Sequence, residues 1–215
     1  SRELEVSGGW TGPDQSTVGF PVEIAELRFG YEPDRPIFDG LDVTIAAGQH
    51  VMVVGPSGAG KTTLGGLSTG SHTPQAGSVR IAGVDVGAVQ REELRSYVAQ
   101  VAQETHVFAT AIRDNVALGR DDAAADAIHD ALVAVGADRW ITELEDGFGT
   151  EVSNEHPIIT PARAQQLNLA RMLCLAPPVV VLDEATADLD PLGARQTAQR
   201  LRNARAGRTL ITIAH

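Results

Sequence analysis

The only lysine of this chain, Lys61, stands in the segment Gly55-Pro56-Ser57-Gly58-Ala59-Gly60-Lys61-Thr62-Thr63, and the other sixteen basic residues are arginines. The segment follows the G-x-x-x-x-G-K-[ST] pattern of a phosphate-binding loop. Glycines there let successive backbone N–H groups converge on an anion, and a helix starting at the loop adds the positive end of its dipole. Lysine acts as a point charge on a flexible stem, which suits terminal phosphates better than arginine's planar fork. The Thr62 hydroxyl is the type of ligand that meets Mg²⁺. Residues 51–54 are all apolar and read as a buried strand, while Thr62-Thr63-Leu64 can open a helix. This strand–loop–helix context separates a phosphate site from a glycine turn beside an incidental lysine. The chain is expected to bind a nucleoside triphosphate.

Composition narrows the class. A length of 215 residues fits one large domain, or one domain with an inserted lobe. The net charge of −11 leaves no broad basic field for nucleic acid or anionic lipid. A single cysteine, Cys174, excludes an internal disulfide, and its apolar neighbours suggest a packed thiol in a helix. No run approaches the ~20 apolar residues of a membrane span, and no signal peptide is visible.

Hydrophobic periodicity gives a coarse order of elements. Residues 1–20 carry Gly and Pro without periodicity and read as a linker. Residues 22–31 and 41–45 read as strands separated by a turn at 32–36, and 78–81 with 84–86 read as a hairpin around Ala82-Gly83. A strand over 98–102 follows. Between about 112 and 175 the pattern becomes helical, with helices expected over 121–135 and 162–175. The compact apolar run 179–182 predicts a parallel strand buried on both faces, followed by a helix over 195–204 and a last strand over 209–213.

The run 179–182 ends in Asp183-Glu184. Beside a phosphate loop, such an aspartate holds the Mg²⁺ shell and such a glutamate polarises the attacking water. With these residues in place, the chain from 22 to 215 resembles the nucleotide-binding domains of ATP-binding cassette (ABC) transporters. The resemblance implies an α/β phosphate-loop NTPase core with an antiparallel β lobe and a helical subdomain, the core at 21–103 and 176–215 and the helical part at 104–175. It implies that Tyr31 stacks on adenine, that Gln103 touches Mg²⁺ and the transmembrane partner, and that Lys61, Glu184 and His215 are the catalytic groups. Gly55, Pro56, Ser57, Gly58, Ala59, Gly60, Thr62 and Thr63 would surround the phosphates, with Thr62, Gln103 and Asp183 on the metal. Residues 187–190 resemble the loop that crosses the dimer interface. The segment 108–116 and Thr150-Glu151-Val152 resemble the exporter branch, which implies a membrane domain preceding residue 1 and a location on the cytoplasmic face of the cell membrane.

The family's signature sequence is Leu-Ser-Gly-Gly-Gln, whereas residues 159–163 here are Ile-Thr-Pro-Ala-Arg. Thr160 can cap the helix and Pro161 suits its first position. Pro161 nevertheless removes a backbone donor, and Ala162 adds a Cβ where a phosphate must come close. Arg163 brings a charge toward the phosphate. Residues 153–156 also depart from the exporter pattern. The expected assembly is therefore a heterodimer, in which a non-identical partner supplies an intact signature helix to the Lys61 site. A regulatory ATP-binding module, or a soluble ABC ATPase acting on nucleic acid or ribosomes, is the alternative; the acidic charge points away from nucleic acid.

Overall fold

The computed structural model describes residues 19–32, 34–56, 58–101, 105–120, 122–183 and 207–213. In chain order come β1 (Val22–Phe29), β2 (Phe38–Ile45), β3 (His50–Val53), α1 (Lys61–Ser68), β4 (Ala76–Ile81) and β5 (Val84–Asp85). Next are α2 (Arg91–Leu94), β6 (Val98–Val101), β7 (Thr110–Ala111), α3 (Ile112–Ala117), α4 (Ala125–Val135) and α5 (Asp138–Ile141). The chain continues with β8 (Glu151–Val152), α6 (Pro161–Leu175), β9 (Val179–Asp183) and β10 (Thr209–Ile213).

Two sheets form. The antiparallel sheet has the order β2-β1-β4-β5, and the parallel sheet the order β3-β10-β9-β6. All five residues of β9 are buried, as the apolar run 179–182 predicts. Side chains alternate across a strand, and here alternate residues enter two separate cores. Val179, Val181, Ile211 and Ile213 pack with Phe20, Leu27 and Leu67 of the β lobe and α1. Val180, Leu182 and Leu210 pack with Leu167, Leu169 and Met172 of α6. The parallel sheet is thus the wall shared by the lobe and the helical part. Truncating a wholly buried leucine such as Leu167 costs about 2–5 kcal/mol.

The structure adds to the expected order of elements. β2 begins at Phe38, because Phe38 and Asp39 pair with Phe29 and Arg28, and Gly40 absorbs the irregularity with φ 82. The last strand lies over 209–213 as expected, and its place in the sheet is new: β10 inserts between β3 and β9, a non-local pairing that no periodicity reports. The helical part also holds a ribbon of β7 and β8, each two residues long and so too short to show alternation. The expected helix over 195–204 lies outside the described residues.

Among the described residues no helix is long and apolar enough to cross a membrane. Cys174 is buried on α6, where burial raises its thiol pKa and the Arg120 charge partly opposes the shift.

Candidate nucleotide-binding site

The site begins where the parallel strands end. Val53 pairs with Ile213, and Ile213 with Asp183, so β3, β10 and β9 finish level with one another. The phosphate loop leaves the sheet just beyond Val53, at the carboxyl edge where open α/β sheets collect ligands. The chain turns into α1 at Gly60, which has φ 86 and whose missing Cβ leaves room for Ile37. That left-handed backbone is open to glycine at no steric cost.

Lys61, the first residue of α1, is only 7% exposed. Its ammonium donates to the Gly55 carbonyl at 2.8 Å and the Pro56 carbonyl at 3.0 Å. These bonds fold the lysine back along the loop, and an ammonium has a third donor to offer an anion. Thr62 is exposed and Thr63 is buried. Asp183 is 2% exposed at the end of β9, and its Oδ1 has no hydrogen-bond partner among the described residues. A buried carboxylate oxygen left in that state fits a cation.

Tyr31 stands 64% exposed just beyond β1. Its hydroxyl lies 3.2 Å from Thr63 Oγ1. Together with Glu32, Arg35, Ile37, Gly58 and Ala59 it lines a cavity of about 350 Å³. An accessible aromatic ring and the phosphate loop therefore share one concavity, as a nucleotide requires.

Thr160 and Arg163 belong to the helical part. Thr160 is the N-cap of α6, accepting from Arg163 N at 3.3 Å, with Pro161 at the first helical position. The Arg163 guanidinium donates to the Ile158 carbonyl at 3.0 Å and lies over the Trp140 ring. Ser57, Gln103, Glu184, residues 187–190 and His215 lie outside the described residues.

Several polar residues have no counterpart among the sequence-based expectations. Asn115 is fully buried; its Oδ1 accepts from Phe108 N at 2.9 Å and its Nδ2 donates to the Phe108 carbonyl at 3.0 Å. Arg171 donates through Nε to the Asn115 carbonyl at 2.7 Å and through Nη2 to the His106 carbonyl at 3.3 Å, and burial lowers its pKa. Asn154 Oδ1 accepts from Val107 N at 2.8 Å. Together they fasten the segment after position 103 to α6 and to the loop after β8. Asn115 follows the charged pair Arg113-Asp114, so the sequence alone gives no sign that it is the buried one.

The fold and the loop define a phosphate-loop α/β domain that binds nucleotide. A profile of the ABC transporter family matches residues 38–187. The chain is 34% identical over 194 residues to the heterocyst differentiation ATP-binding protein HepA of Nostoc, covering 90% of this chain and 32% of that protein. It is 38% identical over 204 residues to P-glycoprotein 14 of Caenorhabditis elegans, covering 94% of this chain and 15% of that protein. A solved bacterial Atm1-family ABC exporter with ATP bound matches with a TM-score of 0.85 at 34% identity, over 92% of this chain and 34% of that chain. The chain belongs to the ABC transporter family, and its fold is that of the family's ATP-binding domain. It spans 15% to 32% of the length of the two protein relatives compared.

Proposed function

We propose that this chain is the ATP-hydrolysing domain of an exporter-type transporter, working on the cytoplasmic face of the membrane with a transmembrane domain that lies outside the 215 residues. Of the expected linker over 1–20, Phe20 packs in the core instead; the residues before it would lead to that domain, with 21–103 and 176–215 as the core and 104–175 as the helical part. The supporting observation is the convergence of Lys61, Asp183 and the Tyr31 cavity at one edge of the parallel sheet. ATP would lie with its base on Tyr31 and its phosphates under the loop amides of 57–60 and the Lys61 ammonium. Thr62, Gln103 and Asp183 would hold Mg²⁺, and the orphaned Oδ1 of Asp183 supports that assignment. Held there, the ion would supply positive charge against the negative charge of the phosphate oxygens. Glu184 would accept the proton of the attacking water, and His215 would donate to the γ-phosphate.

The partner subunit would be a second, non-identical ATP-binding domain with an intact signature. Two observations favour this asymmetry. Pro161 has no N–H to offer a phosphate, and Arg163 is engaged by Trp140 and the Ile158 carbonyl within its own chain. Thr160 would keep a hydroxyl facing the second nucleotide. The membrane domain would meet the segment 108–116, where Phe108 is 41% exposed, and a neighbouring groove of about 1010 Å³ lined by Gln100, Leu118, Leu175, Arg95, Arg120 and Arg208.

The test is Glu184→Gln in the intact transporter. This variant keeps shape and hydrogen bonding but accepts no proton, so ATP is expected to remain bound while turnover collapses. Hydrolysis at the wild-type rate would remove Glu184 as the base.

A further inference from the structure

Beyond the stacking surface itself, something must fix its angle. Tyr31 lies past the end of β1, and a ring 64% exposed on a loop has little of its own to hold it. An exposed aromatic that rotates freely loses ordering entropy whenever a base stacks on it.

The tyrosine is clasped from one side. The ring of His72, in the loop between α1 and β4, meets that of Tyr31 in a T-shaped pair, with centroids 5.7 Å apart and planes at 88°. Phe29 meets Tyr31 in the same manner at 5.2 Å and 85°, and lies 5.5 Å from His72. The three rings form one cluster in which both contacts to Tyr31 are edge-to-face, the arrangement that the ring quadrupoles favour. The Tyr31 hydroxyl lies 3.4 Å from His72 Nε2 and 3.2 Å from Thr63 Oγ1. With neutral His72 accepting at Nε2, one proton order satisfies all three groups: Thr63 donates to Tyr31, and Tyr31 donates to His72.

His72 is itself fixed. Its backbone N–H and that of Ser71 both donate to the Gly66 carbonyl, at 3.2 and 2.8 Å. Its ring rests against Gly66, where an added Cβ would stand 2.5 Å from His72 Cδ2. Gln75 ties the same loop to the end of β1, donating from its backbone N to the Arg28 carbonyl at 2.9 Å and from Nε2 to the Gly30 carbonyl at 3.1 Å. Helix α1 therefore bears Lys61 in its first turn and supports His72 from its last.

We infer that His72 is a positioning residue for nucleotide binding: it holds the Tyr31 ring, through an edge contact and a hydrogen bond, in the orientation that receives the base. This rests on the reading of Tyr31 as the base platform. It makes His72 a determinant of affinity for the base half of the nucleotide, with no part in holding the phosphates.

The intact protein carrying His72→Ala, His72→Phe, Tyr31→Ala or His72→Ala with Tyr31→Ala is titrated calorimetrically with Mg·ATP and with inorganic tripolyphosphate. Thermal melts of the same samples are compared. His72→Ala is expected to weaken ATP about three- to tenfold and leave tripolyphosphate unchanged. His72→Phe, which keeps the edge contact alone, should fall between His72→Ala and wild type. The double variant should bind ATP no more weakly than Tyr31→Ala. If Tyr31→Ala binds ATP as wild type does, the base-platform reading falls and this inference with it. If Tyr31→Ala weakens ATP but His72→Ala does not, the role of His72 alone is overturned. That role is overturned equally if the two effects add in full, or if tripolyphosphate weakens in parallel.

Discussion

The guanidinium carbon of Arg163 lies 4.7 Å from the centroid of the Trp140 ring. Trp140 in turn donates from Nε1 to Gln166 Oε1 at 3.0 Å, and Gln166 donates from Nε2 to the Val135 carbonyl at 3.1 Å. The first two turns of α6 are thereby bound to α5 and to the end of α4. Arg163, proposed to stand at the position of the family's signature glutamine, is thus engaged within its own helical part.

Arg163→Ala is expected to act on stability. It removes a cation–π contact of about 0.5–2 kcal/mol and the bond to the Ile158 carbonyl, so a urea midpoint should fall measurably. ATP affinity at the Lys61 loop should not change. A loss of ATP affinity with unaltered stability would mean that Arg163 faces phosphate instead.

Rebuilding the signature by Thr160→Ser, Pro161→Gly, Ala162→Gly and Arg163→Gln should raise transporter turnover only modestly, because the competent site would use the partner's signature helix. It should also destabilise α6, since glycine costs about 1 kcal/mol per helical position. Steady-state ATPase assays read the first effect and a thermal melt the second. Abolition of turnover by changing the partner's signature serine is the matching expectation.

Asn115→Ala leaves the Phe108 N–H and carbonyl without their side-chain partners and takes Oδ1 from Arg171 Nη2, which it meets at 3.2 Å. Stranding buried polar groups in this way costs about 2–3 kcal/mol, on the order of 1 M in urea midpoint. Equilibrium unfolding monitored by tryptophan fluorescence checks it.

The Cys174 thiol is 2% exposed, and burial raises its pKa above the ordinary value of 9.0, with Arg120 opposing. The neutral form is therefore favoured in the fold. Its contribution to stability is complete below the unfolded pKa and is lost as pH rises through the folded one. Maleimide labelling at neutral pH should be slow in the native protein and rapid in denaturant, and stability should decline as pH climbs beyond about 9.

How much of this was legible in the sequence follows from how local each signal is. The Lys61 loop, the N-cap Thr160 with Pro161 behind it, and the two-sided burial of β9 are each written within a few consecutive residues. The pairing of β10 between β3 and β9 depends on contacts across more than a hundred residues, such as Leu210 with His50. The Asn115–Arg171 bond spans 56 positions. The clasp of Tyr31 by His72 joins a loop after β1 to a loop after α1. An isolated histidine in a glycine-rich turn looks like a surface residue until the fold sets it beside an aromatic ring.

Lys61→Ala tests the nucleotide site most directly. The variant leaves the loop backbone in place and removes the chain's single lysine ammonium, now bonded to the Gly55 and Pro56 carbonyls. Losing a charge-assisted contact to phosphate is worth about 1.5–3 kcal/mol, or roughly one to two decades in affinity. Calorimetric titration of the intact protein with Mg·ATP should therefore show binding weakened by that factor, with the melting temperature of the nucleotide-free protein little changed. An unaltered affinity for ATP would contradict the assignment of this loop as the phosphate site.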